Sequence, residues 1–240
     1  MINGRDVTAI IPVRGGSKGI PRKNLLEFAG DTLLERTIKF AARSARIERT
    51  IVSTDDAEMF EIATKHGVAA PTRRPDALAQ DDTTTDAVLE HLIGQAGIAD
   101  GYILLLQVTS PLRTLDDLEQ LCAGFEAAED TDAAVSLCRH QGSHPAKMLR
   151  IEDRRIAPFL DRKYTGPRQA LPEVFVLNGA FYLIERDVFL RERTFLPDRT
   201  MPFVMPSGHS ANLDTLEDWQ ILQAMVAQGY WMPETYDQQN

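Results

Sequence analysis

Short apolar runs rich in β-branched residues alternate along most of this chain with longer stretches whose apolar residues recur at helical spacing, and this alternation restricts the fold more than any other feature. The run 7–13, Val-Thr-Ala-Ile-Ile-Pro-Val, is almost continuously apolar. Such a run predicts a strand covered on both faces, as in parallel sheets, rather than an alternating surface strand. Beyond it, Asp31 is expected to cap a helix running to Ala45, with Leu33, Leu34, Ile38, Ala41 and Ala42 at helical spacing. A short strand at 50–53 follows, then a helix opened by Asp55 and Asp56 that ends near Gly67. A helix at 85–93, a strand at 102–107, a helix capped by Thr114 and running to Glu129, and a strand at 133–138 continue the pattern. Strands are further expected at 174–177 and 180–184, and a last helix at 216–227. The order predicts an α/β protein with a doubly wound, mostly parallel sheet. From about residue 139 to 175, Gly, Pro and charged residues break the rhythm. That stretch is too short for an independent unit, so residues 1–240 read as one domain carrying an insertion.

Composition narrows the function. With 43% hydrophobic and 25% charged residues the chain can bury a full core, which argues against disorder. Its 26 Lys and Arg against 35 Asp and Glu leave a net charge of −9, so a duplex nucleic-acid binder, which neutralises phosphates with a basic surface, is not expected. Any anionic ligand must be held by a local basic cluster. Cys122 and Cys138 fit neither a disulfide framework nor a zinc site, and a reduced cytoplasmic setting is expected. Polar Asn3, Arg5 and Asp6 precede only a short apolar run, so neither a signal peptide nor a membrane span is expected there.

One basic cluster stands directly after the first strand: Arg14-Gly-Gly-Ser-Lys-Gly-Ile-Pro-Arg-Lys-Asn24. In doubly wound sheets ligands bind at the carboxyl ends of strands, and adjacent glycines such as Gly15 and Gly16 let backbone amides approach phosphate oxygens. Placement after a buried strand favours a phosphate site over a solvated basic loop. Two better-known phosphate loops are excluded by spelling. Lys18 follows Ser17 and precedes Gly19, unlike a Walker A loop, and no Gly-x-Gly-x-x-Gly is present.

The stretch Ile10-Ile-Pro-Val-Arg-Gly-Gly-Ser-Lys-Gly-Ile-Pro-Arg-Lys-Asn24 resembles the signature of the acylneuraminate cytidylyltransferases, the CMP-sialic acid synthetases and their legionaminic and pseudaminic acid relatives. Further segments agree in order and spacing: Val52-Ser-Thr-Asp-Asp56, Arg74-Pro75 with Leu78 and Asp81, Leu105-Leu-Gln-Val-Thr-Ser-Pro-Leu-Arg113, Asn178-Gly-Ala-Phe-Tyr182 and Leu213-Asp-Thr-Leu-Glu-Asp-Trp219. The resemblance implies a Rossmann-like nucleotidyltransferase fold and a reaction in which the anomeric hydroxyl of a nine-carbon 2-keto sugar acid attacks the α-phosphorus of CTP and releases pyrophosphate. Such chemistry needs cations on the triphosphate, a divalent metal, here Mg2+, and accurate positioning, but no covalent nucleophile.

By the same resemblance Arg14, Lys18 and Lys23 hold phosphates and form the catalytic set. Gly15, Gly16, Ser17, Asn24, Arg74, Thr83 and Thr85 complete the nucleotide site. Gln107, Lys147, Arg168, Asn178 and Tyr182 match acceptor-contacting positions. A carboxylate-bearing acceptor needs a charge-assisted or bidentate partner, which makes Arg168 in Pro167-Arg-Gln-Ala-Leu-Pro172 the natural choice. Asp214 and Asn212 fall at the metal positions. The insertion, with Lys147 in His144-Pro-Ala-Lys147, builds a homodimer in the family, so a homodimer with shared site walls is implied.

Three departures bear on the details. Val108 replaces a frequent proline, Asn212 a frequent aspartate, and Val176 a frequent arginine, from which a preference for a less polar acceptor such as legionaminic acid is expected. His66, His91 and His209 read as structural or solvated, the acidic residues Glu126, Glu129, Asp130 and Asp132 as a solvated helix end, and Trp219 and Trp231 as packing anchors. Two rivals stand beside the main reading. One is a sister transferase using GTP or the shorter acid Kdo, whose enzymes carry a different first loop. The other is a non-catalytic nucleotide-sensing module that lost a metal ligand at Asn212.

Overall fold

In a computed structural model, described for residues 1–17, 19–68, 71–80, 83–160 and 166–230, the expected alternation closes into one seven-stranded sheet. Strand β1 spans Val7–Pro12, and β2 (Glu27–Phe28) and β3 (Asp31–Thr32) form a small hairpin. Then come α1 (Leu33–Arg43), β4 (Arg49–Thr54), α2 (Ala57–Lys65), β5 (Thr72–Arg73) and α3 (Thr85–Gln95). They are followed by β6 (Tyr102–Leu105), α4 (Leu115–Ala127) and β7 (Ala133–Arg139). A separate antiparallel hairpin, β8 (Leu149–Glu152) with β9 (Arg155–Pro158), precedes the long β10 (Phe175–Glu185). The chain continues through α5 (Arg186–Glu192), β11 (Thr200–Val204) and α6 (Leu216–Ala227).

The sheet order is β11-β7-β10-β6-β1-β4-β5. All its neighbours are parallel except β10, which runs antiparallel between β6 and β7. Both faces are covered, and the strands divide their side chains between them. Val7, Ala9 and Ile11 of β1 join Leu104 in a core beneath α1, α2, α4 and α6, while Ile10, Ile103 and Leu105 point into a second core with α3 and α5. Full burial of each valine, isoleucine or leucine among these contributes about 1.5–3 kcal/mol, which is why the central strands are apolar at nearly every position. The chain leaves β1 for β4 on one side and later returns to place β6 on the other. That reversal opens a crevice at the carboxyl ends of β1 and β6.

Several expectations are corrected in detail. The cap of α1 is Thr32, not Asp31: its hydroxyl accepts from the Glu35 amide, and Glu35 reaches back to the Thr32 amide. Asp31 instead lies in the hairpin and pairs with Lys39 at 2.7 Å. The helix ends at Arg43, short of Ala45. The two strands expected around Asn178 are one strand, β10, with an irregularity between Leu177 and Tyr182. Asp132 is not part of a solvated helix end; it is buried and takes a 2.8 Å hydrogen bond from Arg199. His66 meets Glu35 and His209 meets Asp117, so both have structural partners. Trp219 packs over Phe28, with ring centroids 6.0 Å apart. Trp231 lies outside the described residues.

Candidate active site

A cavity of about 590 Å³ fills the crevice at the ends of β1 and β6. Its lining brings together Arg14, Ser17, Lys23, Asn24, Arg74, Thr83, Thr85, Gln107, Asn212 and Asp214, residues drawn from segments far apart in sequence.

The basic loop forms one wall. The amide of Gly15 donates to Asp55 Oδ1 at 3.0 Å, and a Cβ at Gly15 would stand 3.0 Å from Asp56 Oδ2, so glycine lets the loop lie against the start of α2. Arg22, at φ 53°, pairs with Asp56 and Glu58. Asn24 is buried and its Nδ2 donates to the Arg14 carbonyl at 3.0 Å, which ties the two ends of the loop together. A Cβ at Gly16 would meet open space. Lys18 lies outside the described residues.

Arg74 is buried behind this loop and donates to the Ser53 carbonyl at 2.9 Å. Burial pulls its guanidinium below the usual arginine value, with the nearby Asp55 charge opposing and Arg14 adding to the shift. Thr83 and Thr85 stand at the amino end of α3, whose first turn is capped by Thr84. That helix end carries a partial positive charge suited to anionic ligands.

The opposite wall carries Asn212 and Asp214. Lys23 Nζ donates to the Leu213 carbonyl at 2.8 Å and to Asp214 Oδ1 at 3.2 Å, and Asn212 Nδ2 donates to Asp214 Oδ2 at 2.7 Å. A Cβ at Gly19 would sit 2.6 Å from the Asp214 carbonyl, so the basic loop can touch this segment only with glycine there. Asp218 completes the capping box that Thr215 opens at α6, accepting from the amides of Asp214 and Thr215. Burial pushes the Asp218 carboxyl up, but those amides, the Thr215 hydroxyl and the Lys23 charge outweigh it and hold it below the usual range. No cluster of three or more His, Cys, Asp or Glu suited to a metal occurs among the described residues. The donors at 212–214, one carboxylate and neutral carbonyl oxygens, are hard and fit magnesium if phosphate oxygens and water supply most of its ligands.

Not every expected residue reaches the cavity lining. Asn178 is buried beneath it: its Oδ1 accepts from Ser136 Oγ at 2.6 Å and its Nδ2 donates to Ser210 Oγ at 3.0 Å. Tyr182 packs edge-on against Phe195, and burial raises its phenol above the usual tyrosine value. Lys147 is exposed on a short turn before β8, and Val176 is exposed on β10 opposite Cys138, so the acceptor preference argued from Val176 finds no support in its position. Arg168 opens a short turn, Arg168–Ala170; its side chain lies outside what is described.

The glycine after Asn178 is buried as well and packs against the cavity residue Gln107. Gly179, at φ +75°, leaves a point 2.6 Å from Gln107 Oε1 and 3.6 Å from Asn212 Oδ1 where any other residue would place its Cβ. Arg113 and Ser110, which hold Gln107 and Gly179 from behind, carry no assigned role in the sequence reading. Their burial is the signal, and burial is invisible in residue identity.

The cytidylyltransferase family profile matches residues 8–158, more than half of the chain. The chain belongs to the cytidylyltransferase family. As a member it is a nucleotidyltransferase enzyme. It is 30% identical over 215 residues to the pseudaminic acid cytidylyltransferase of Campylobacter jejuni serotype O:2, covering 87% of this chain and 91% of that protein. It is 26% identical over 226 residues to the CMP-N,N'-diacetyllegionaminic acid synthase of Legionella pneumophila, covering 92% and 96%. With the N-acylneuraminate cytidylyltransferase of Streptococcus agalactiae serotype III it shares 31% identity over 215 residues, and there it spans about half (51%) of the longer protein. Among solved structures, CMP:2-keto-3-deoxy-manno-octonic acid synthetase complexed with CTP superposes with a TM-score of 0.65 at 18% identity over 93% of this chain and 99% of that one. A 4-diphosphocytidyl-2C-methyl-D-erythritol synthase gives 0.67 at 16% identity, over 92% and 98%. At those identities the likeness concerns the fold, and it agrees with the doubly wound sheet described above.

Proposed function

We propose that this cytidylyltransferase transfers CMP from CTP to the anomeric hydroxyl of a nine-carbon nonulosonic acid, with release of pyrophosphate. The observation that carries the reading is one cavity whose lining brings the cations Arg14, Lys23 and Arg74 together with Asp214, Asn212 and Gln107. In this reading Arg14, Lys18 and Lys23 hold the triphosphate, with the amides of Gly16 and Ser17 beside them, while the Gly15 amide is taken by Asp55. Asn24, Arg74, Thr83 and Thr85 line the nucleotide. Gln107 orients the acceptor, and Arg168 and Lys147 meet its carboxylate and polar groups. Asp214 and the Asn212 carbonyl would hold magnesium, which when bound would neutralise charge on the phosphate oxygens. Lys23, already bonded to Asp214, fixes the position of that carboxylate, and its ammonium shares the load on the departing pyrophosphate.

The same reading gives the hairpin segment 139–175 a role in a homodimer. Ile151, Ile156 and Phe159 are 80%, 68% and 58% exposed, and Phe175, Val176 and Leu177 add further apolar surface at the start of β10. Covering such a strip with a second copy is what its composition favours. No helix among the described residues is long and apolar enough to cross a membrane. With Cys122 buried and its thiol pushed up to about 12, and Cys138 also raised by burial, reduced thiols suit a cytoplasmic enzyme that draws on CTP and supplies activated sugar for cell-surface polysaccharide. Pyrophosphate release measured for each nucleoside triphosphate against sialic, legionaminic, pseudaminic and Kdo acids tests the proposal. Turnover confined to CTP with a nonulosonic acid is expected. Turnover with Kdo or GTP alone would favour the sister-transferase reading, and none with any pair the sensing module.

A further inference from the structure

Arg113 is 3% exposed, yet its guanidinium lies on no outer surface of the cavity. It donates from Nε to the Ser110 carbonyl at 2.9 Å, from Nη1 to the Ala180 carbonyl at 2.8 Å, and from Nη2 to the Gln107 carbonyl. The planar head also lies 5.8 Å from the ring centres of both Phe40 and Phe181. A buried guanidinium costs several kcal/mol in lost hydration unless its donors are satisfied, so this one persists because the carbonyls are turned toward it. Those carbonyls belong to two segments. One is the turn after β6 that presents Gln107, Val108 and Thr109 to the cavity; the other is the irregular part of β10 at 178–180. Ser110 Oγ adds a second tie between them, donating to the Asn178 carbonyl at 3.0 Å, and buried Arg36 steadies the same turn through the Pro111 carbonyl at 3.1 Å.

We infer that Arg113 is a positioning residue for the acceptor: its fork of donors clamps the Gln107 turn onto Gly179 and so fixes where the Gln107 amide stands in the cavity. The carbonyls it bonds lie in the Gln107 turn and at Ala180, so the clamp bears on the acceptor half of the site. Lysine keeps the charge at this position but has no planar fork and cannot bond three diverging carbonyls at once.

The inference rests on the proposed function for its kinetic arm only. Arg113→Lys is expected to raise the KM for the best acceptor of the panel by about tenfold or more, while CTP affinity, read by calorimetry, stays within about twofold. Hydrogen exchange at 107–110 and 179–181 is expected to speed up, with β4 and α2 unchanged. Ser110→Ala, a milder cut between the same segments, is expected to move the same readouts in the same direction by about two- to fivefold, and it decides the matter if Arg113→Lys does not fold. A joint fall in CTP affinity and acceptor use, or unchanged exchange at 107–110 in a folded variant, overturns the clamp. If the parent turns over no acceptor, the proposed function fails, and the exchange comparison still decides whether Arg113 holds the turn.

Discussion

Lys23 is the residue on which the two walls of the cavity meet, because its ammonium touches both the Leu213 carbonyl and Asp214 while its backbone belongs to the basic loop. Replacing it with alanine is expected to lower kcat about a hundredfold or more, the scale for losing one preorganised charge contact, and steady-state kinetics on folded protein check this. Asn212 bears on the same carboxylate. Its amide donates to Asp214 at 2.7 Å, so Asn212→Asp would set two carboxylates side by side. The variant is expected to melt at a lower temperature than the parent without metal and to need less magnesium for half-maximal rate. Thermal melts with and without magnesium, run beside a magnesium titration of pyrophosphate release, read both effects. At this scale the basic loop was legible because residue type and place after a buried strand suffice to mark a phosphate wall. Asn178 was not. An asparagine bonded inside the protein and one that faces a substrate are spelled alike, and the contacts with Ser136, Ser210 and Met205 tell them apart.

Among the elements, those with sustained periodicity were readable: α2, α4 and α6 begin where capping chemistry places them, at Asp56, Thr114 and Thr215. The rest were short or locally contradictory. A two-residue hairpin moved the α1 cap from Asp31 to Thr32, and β11 holds Pro202, which argues against a strand until its place at the edge of the sheet is known. The seven-residue α5 follows β10 without a loop, leaving no punctuation to announce it. The α1 cap gives a prediction in pH. Burial pushes the Glu35 carboxyl up, but the Thr32 amide and hydroxyl and His66 outweigh it, so its pKa in the folded state is below that of the unfolded chain. The stabilisation is therefore present above the ordinary glutamate range and lost as pH falls through the lowered value. Denaturant titrations from about pH 6 to pH 3 should show parent stability falling more steeply than that of Glu35→Gln; parallel curves would remove Glu35 from the acid response.

For the molecule as a whole, the reversal of strand order between β1 and β6 explains why the cavity lies where it does, and why residues from 14 to 214 meet there. The hairpin β8–β9 stands apart from that sheet with Ile151 and Ile156 exposed. A double Ile151→Glu, Ile156→Glu variant is expected to sediment as a monomer where the parent sediments as a dimer; equal masses for the two would detach the hairpin from assembly. The central claim is that this cavity joins CTP to a nonulosonic acid, and its most direct test is pyrophosphate release from purified protein with magnesium, each nucleoside triphosphate and the acid panel. The account predicts release with CTP and a nonulosonic acid and its loss in Asp214→Ala. Release that survives in Asp214→Ala, or that never occurs with CTP and any nine-carbon acid, would contradict it.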